Sequence, residues 1–290
     1  MNNKKPGNGE FRSWRSYWEF RREVIRDWRY VRSKTAQAFL SAVATTCHDR
    51  SVDIPEGKHF FRAQVAHHDV FEPEVGDSFP GPALPNRMNP LRGRAREGRV
   101  NPKGIPCLYM ASDKHTAMAE ARPWIGSLVS LGVFRTERAL KIVDCTRDAD
   151  RNRFFLEGEP AVDERDQVVW SHMARAFREP ATRDDDIAEY APTQIIAEVF
   201  RSEGYDGVAY RSAFGTDRFN IALFDLDAAK LVTCALHEVR DVELKHEETA
   251  NPYFVQVDED GKPVLVRNVI TDIRPLEPTE RDESTDKDGV

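Results

Sequence analysis

No two cysteines of this chain stand in a C-x-x-C spacing; the four present, Cys47, Cys107, Cys145 and Cys234, are scattered along it. That pattern excludes a zinc ribbon and a dithiol redox motif, and it carries no secretory disulfide framework. The four read as reduced thiols packed as small apolar residues. Long hydrophobic runs are also absent, and none approaches the roughly 20 residues that cross a bilayer. The opening stretch, Met1 to Glu10, is polar with no apolar segment behind Lys4 and Lys5, so no signal peptide is expected. The expectation is a soluble, cytoplasmic protein with no membrane partner. There is no P-loop, no G-x-G-x-x-G, no H-E-x-x-H and no G-x-S-x-G elbow. The adjacent His67 and His68 would point to opposite faces of a strand, so no metal site is expected.

What is present suffices for a substantial core. The chain has 290 residues, 40% of them hydrophobic, and a formal net charge of -7. Length permits one large domain or two small ones, and the net charge does not suggest a polyanion binder. From about Ser13 to about His48 apolar residues recur at spacings of three and four, which predicts helix. Its intervening arginines, Arg12 to Arg32, read either as a solvated face over a tryptophan-packed helix or as a docking surface for an acidic partner.

Ser51 to Gly57 reads as a linker. Lys58 to Gln64 reads as a strand, and Val70 to Gly104 as a long loop rich in Gly, Pro and Arg. Strands are expected over Cys107 to Ala111, Leu128 to Phe134, Leu140 to Asp144, Val208 to Ser212 and Asn220 to Phe224. Ser112 is the expected N-cap of a helix ending before Pro123. Further helices are expected over Asp163 to Arg178 and Pro192 to Ser202. Asp260-Gly261 marks a hairpin between Phe254–Val257 and Val264–Val266. The acidic stretch after Pro275 has a disordered composition. The division expected is a helical extension over 1–57, a main domain over 58–250, a hairpin over 251–274 and a tail over 275–290. The class is α+β, with a mostly antiparallel sheet and flanking helices.

A few residues are costly where they stand. Glu120 falls in the last turn of its helix, inside Ala117-Met118-Ala119-Glu120-Ala121, where the macrodipole opposes a carboxylate. It reads either as a site residue, with Tyr109 on the preceding strand facing the same space, or as a surface partner of Arg122. Arg62 interrupts the apolar run Phe60-Phe61-Arg62-Ala63-Gln64; turned inward it needs an anion or carboxylate, and turned outward it is a strand-edge cation. Arg92, Arg94, Arg96, Arg99 and Lys103 share the long loop with Gly93, Gly98 and Gly104, a composition suited to a diphosphate and also to a solvated loop. Ser212 ends the strand Val208-Ala209-Tyr210-Arg211, with no histidine marked as its base.

In order, F-R-A at 61–63, G-R-V-N-P-K-G-I-P-C-L-Y-M-A at 98–111, A-E-A-R-P at 119–123 and Y-R-S at 210–212 resemble the RES domain. The resemblance spans about Lys58 to Phe224, with Arg62, Glu120 and Ser212 at the residues that name the family and Arg99 and Tyr109 at further pocket positions. Where the family often has an aromatic between Arg99 and Asn101, this chain has Val100. The resemblance implies a fold like the ADP-ribosyltransferases of the diphtheria-toxin type and an activity on NAD, as substrate and not as cofactor. It further implies a toxin neutralised by a partner with an Xre-like helix-turn-helix; separately, no direct nucleic-acid contact is expected.

The chemistry implied is loss of nicotinamide through an oxocarbenium-like ribose. Glu120 would stabilise that cation, Arg62 and Arg99 would hold the diphosphate, Ser212 would meet the nicotinamide ribose, and Tyr109 would offer an aromatic face. The acceptor stays open: phosphate or water, as in an NAD phosphorylase or glycohydrolase, or a side chain, as in a protein ADP-ribosyltransferase. A non-catalytic interaction module using the basic N-terminal helix is the remaining alternative.

Overall fold

A computed structural model describes residues 9–148, 155, 158–179, 187–215, 217–247, 253–258 and 260–267. The chain divides into two compact units, Met1–Val242 and Glu243–Val290.

The first unit opens with two helices where one continuous helical pattern was expected. α1 (Ser16–Arg26) and α2 (Lys34–Thr46) are separated by a turn that Ser33 closes, its side chain accepting from the Ala36 N–H at 3.1 Å. Ser33 is itself fixed by Glu23, which accepts from its N–H and its hydroxyl at 2.9 and 2.6 Å. The start of α1 lacks a local cap, and Glu159 pins it by accepting from Ser13 Oγ and the Trp14 N–H. The break changes which aromatics are inward. Tyr17, Phe20 and Val24 are buried, whereas Trp28, past the end of α1, is 62% exposed. Each such side chain fully buried contributes roughly 1.5–3 kcal/mol.

The expected linker is in fact a strand, β1 (Ser51–Ile54), paired antiparallel with β7 (Leu140–Cys145). Its four residues form the edge of an eight-stranded sheet ordered β1-β7-β8-β9-β5-β2-β6-β10. The other members are β2 (His59–Gln64), β5 (Leu108–Ala111), β6 (Leu128–Thr136), β8 (Gly207–Arg211), β9 (Phe219–Leu223) and β10 (Ala229–Glu238). Only β7 and β8 run parallel, so the sheet is mostly antiparallel, as the α+β reading implied. Gly207 is required at the β8–β9 seam, because a Cβ there would lie 2.3 Å from the Ala222 carbonyl oxygen.

The long loop expected over Val70 to Gly104 also contains structure. β3 (His67–Glu72) and β4 (Asp77–Pro82) form a separate hairpin, turned at Gly76 with φ +72, and α3 (Pro85–Met88) follows. Pro80 and Pro82 restrict β4 to an edge, since proline donates no ladder hydrogen bond.

Strand alternation divides the core between the two faces. Val143, Val208 and Ala222 face the helical layer of α1, α2, α5 (Val162–Arg178) and α6 (Ala191–Ser202). Leu140, Ile142, Ile221 and Leu223 face the other side, against Phe60, Met88 and Phe134. The N-terminal helices therefore share the main core. α4 (Lys114–Glu120) packs on β2, β5 and β6, where Ala111, Ala117 and Leu131 form a small cluster.

The cysteines are packed as expected: Cys47, Cys107 and Cys145 are buried and Cys234 is half-buried. Burial pushes the Cys47 and Cys107 thiols up to about 11. No described helix is long and apolar enough to cross a membrane. Among its described residues the second unit has a hairpin, β11 (Tyr253–Val257) with β12 (Pro263–Arg267), turned at Gly261 with φ +77. The tail over 275–290 lies outside the described residues.

Candidate active site

α4 is capped by Asp113, not Ser112. The Asp113 carboxylate accepts from the Thr116 N–H at 3.0 Å, while Ser112 Oγ instead accepts from the Phe219 N–H at 3.3 Å. The helix is short because Arg122 takes a left-handed φ of 47 and Pro123 follows. Glu120 is thus its last residue, and two donors from the β8–β9 hairpin offset the unfavourable helix terminus. Ser212 Oγ donates to Glu120 Oε1 at 2.8 Å, and Asn220 Nδ2 donates to the same oxygen at 2.6 Å. Oε2 is left with no partner among the described residues, and none of the described cations pairs with Glu120. The alternative of an Arg122–Glu120 surface pair is therefore set aside.

Ser212 is 1% exposed and also accepts from the Phe214 N–H at 3.1 Å. Its hydroxyl is engaged inside the protein, so it holds the carboxylate where contact with a ribose was expected. Asn220, 5% exposed, was not singled out from the sequence. The signal was there: an amide inside the apolar strand Phe219-Asn220-Ile221-Ala222-Leu223, the same anomaly that marks Arg62.

Arg62 sits at a split in the sheet. β2 and β5 pair at one register position, Phe61↔Ala111. From β2 the guanidinium reaches across to β5, donating from Nη1 to the Tyr109 carbonyl at 2.8 Å and from Nε to the Met88 carbonyl at 2.9 Å. Among the described residues no carboxylate pairs with it, and burial lowers its pKa to about 10, so it stays charged at neutral pH. A desolvated cation held by two carbonyls is the arrangement that an incoming anion completes.

Tyr109 has two roles. Its hydroxyl donates to Asn101 Oδ1 at 2.6 Å and accepts from the Val100 N–H at 3.0 Å, and burial raises its pKa well above the ordinary range. The ring lines the cleft. Arg99 donates to the Ala176 carbonyl at 2.8 Å and lies over the Tyr190 ring.

Three adjoining chambers result. One of about 240 Å³ holds Arg62, Tyr109, Glu120, Asn220 and the small residues Ala117 and Ala121. A second of about 260 Å³ shares Tyr109, Glu120 and Asn220, and adds Arg99, Arg122 and Arg178. A third of about 560 Å³ runs from Arg62 and Tyr109 to Arg87, Arg94 and Arg96. Arg92 and Lys103, named with this loop, line none of these chambers. Ser212, fully buried, stands behind Glu120. Among the described residues no group of three His, Cys, Asp or Glu is placed to hold a metal.

No curated protein matches the chain. A solved structure, the M. tuberculosis MbcT-MbcA toxin-antitoxin complex, is similar at 15% identity over 68% of this chain and 92% of that one, with a TM-score of 0.37. The RES domain family model matches residues 78–247, a span that contains Arg99, Tyr109, Glu120, Ser212 and Asn220 and begins after Arg62. That span is more than half of the sequence, and the chain belongs to the RES domain family.

Proposed function

We propose that this protein cleaves NAD at the bond between nicotinamide and ribose. The observation that carries the reading is Glu120, with one oxygen clamped by Ser212 and Asn220 and the other bare in a cleft that also holds Arg62. When the C1′–N bond breaks, its electron pair goes to the pyridinium nitrogen, so nicotinamide leaves neutral and needs no general acid. The ribose becomes oxocarbenium-like, and an ionised carboxylate fixed beside it stabilises the developing charge. Because both donors hold Oε1, the carboxylate is oriented before substrate arrives and does not reorganise during the step. Arg62 suits the diphosphate and the Tyr109 ring suits the nicotinamide face.

The acceptor we favour is inorganic phosphate. Arg99, Arg122 and Arg178 line the chamber that shares Glu120, and guanidiniums beside that carboxylate suit an anionic acceptor. A phosphate oxygen bonds to C1′ as the C–N bond breaks, giving ADP-ribose 1″-phosphate. Nicotinamide release from NAD, followed with and without phosphate, tests this. Release that rises with phosphate supports phosphorolysis, and release independent of it assigns water. Labelled NAD in a cell lysate covers transfer to protein, which would leave a labelled band.

A toxin role with a neutralising partner belongs to the same proposal and rests on the family resemblance. Expression of the wild type should arrest growth and Glu120→Ala should not, with rescue by a co-expressed neighbouring gene. Growth unaffected by the wild-type protein would remove the toxin role without touching the chemistry.

A further inference from the structure

The chamber of about 560 Å³ carries more positive charge than a dinucleotide's diphosphate requires. Four guanidiniums, those of Arg62, Arg87, Arg94 and Arg96, line it against one carboxylate, Glu97. None of the four has a carboxylate partner among the described residues. A diphosphate carries two negative charges, and Arg62 already sits at the seam between this chamber and Glu120. Arg87, Arg94 and Arg96 line this chamber and neither of the two that hold Glu120; in the dinucleotide reading it is the chamber left for adenosine once Glu120 meets the nicotinamide ribose.

The segment that presents two of these arginines is tied down. Asn101, 1% exposed, donates from Nδ2 to the carbonyls of Arg96, Pro102 and Ile105 at 3.0, 3.1 and 2.7 Å. The Gly104 N–H reaches the Ala95 carbonyl at 2.9 Å, and the Arg94 N–H reaches that of Leu91 at 3.2 Å. Gln194 Nε2 anchors the following turn through the carbonyls of Gly98 and Asn101. Arg94 and Arg96 thus project from a fixed backbone, which lowers the ordering cost of gripping an anion. Asn89 also lines this chamber, and its Oδ1 is buried with no hydrogen-bond partner.

We infer that the preferred substrate carries a third phosphate, a monoester on the adenosine ribose, as in NADP. This rests on the reading that the cleft takes a dinucleotide. A phosphomonoester brings about 1.5–2 negative charges at neutral pH, which matches the cationic excess and suits forked guanidinium donors.

The test is kcat/KM for nicotinamide release from NADP and from NAD at equal ionic strength, in the wild type and in Arg94→Gln/Arg96→Gln. The ratio should favour NADP by about tenfold or more, since hydrogen bonds between charged groups are the strong ones, and the double variant should bring it close to parity. NAD cleaved as well as or better than NADP overturns the inference and leaves NAD cleavage standing. A high ratio unmoved in the double variant overturns the assignment to these arginines. Calorimetric binding of adenosine 2′,5′-bisphosphate against ADP needs no turnover. If neither dinucleotide is cleaved, tighter binding of the bisphosphate still supports the chamber, and equal or weaker binding overturns it.

Discussion

Asn220 Nδ2 lies 2.6 Å from Glu120 Oε1, on the same oxygen that Ser212 holds. Asn220 comes from near the start of β9 and Glu120 from the end of α4, so this contact fixes the carboxylate to the sheet. Asn220→Ala should lower kcat for nicotinamide release by roughly tenfold to a hundredfold, with a smaller effect on KM. Asn220→Asp, which removes the donor and adds like charge, should lose more. Steady-state kinetics alongside circular dichroism decides the matter. Equal kcat in a folded Asn220→Ala protein would mean that Ser212 alone positions Glu120.

Gly98 and Tyr109 form a second coupled pair. A Cβ at Gly98 would lie 2.7 Å from the Tyr109 hydroxyl, which is already held between Asn101 and the Val100 N–H. Gly98→Ala should therefore raise KM several-fold by displacing the ring, and Tyr109→Phe introduced with it should recover part of the loss. A double-mutant cycle in KM measures this, and strict additivity would show that the two sites do not communicate.

Arg62 gives a binding prediction independent of turnover. ADP at a hundredfold excess over its Kd should raise the thermal midpoint of the wild type by roughly 5–10 °C, by linkage. Arg62→Met, which removes the cation bridging β2 and β5, should lose most of that shift. An undiminished shift in the variant would place the diphosphate elsewhere.

His172 sets an acid limit on stability. It is 2% exposed, its ring lies against Trp14 and Trp18, and burial with help from Arg175 lowers its pKa from 6.5 to about 4. The native protein thus keeps His172 neutral where the unfolded chain protonates it. Its contribution is fully present above pH 6.5 and is lost as pH falls toward 4. Between pH 7 and pH 5 the wild type should lose about 2 kcal/mol more than His172→Gln, read from urea midpoints. Groups common to both proteins cancel in the difference, including Asp166, whose carboxyl burial raises to about 6. Parallel losses would contradict a buried neutral imidazole.

The candidate site was legible where a residue violated its local pattern. Glu120 among alanines at a helix end and Arg62 within an apolar strand could both be found without coordinates. Asn220 broke its strand in the same way and was passed over, because an amide carries no charge to draw attention. The partner of Ser212 could not be read, since it depends on β8 and β9 presenting two side chains to a helix far away in sequence. The helical and antiparallel character followed from periodicity and turn residues. β1 was missed because four residues with Asp53 among them give almost no alternation, and the turn ending in Ser33 was hidden by apolar spacing that continues through Trp28 and Val31. The split at Arg62 is a property of register: β2 is committed to β6 and β5 to β9, so the two meet only at Phe61 and Ala111.

The most direct test of the account is nicotinamide release from NAD by the wild type and by Glu120→Gln, measured with and without phosphate on protein shown to be folded. The account predicts clear release by the wild type, increased by phosphate, and a loss of roughly a hundredfold to a thousandfold in the variant, which keeps the shape of Glu120 without its charge. No release by the folded wild type under either condition, or wild-type turnover in Glu120→Gln, would contradict it.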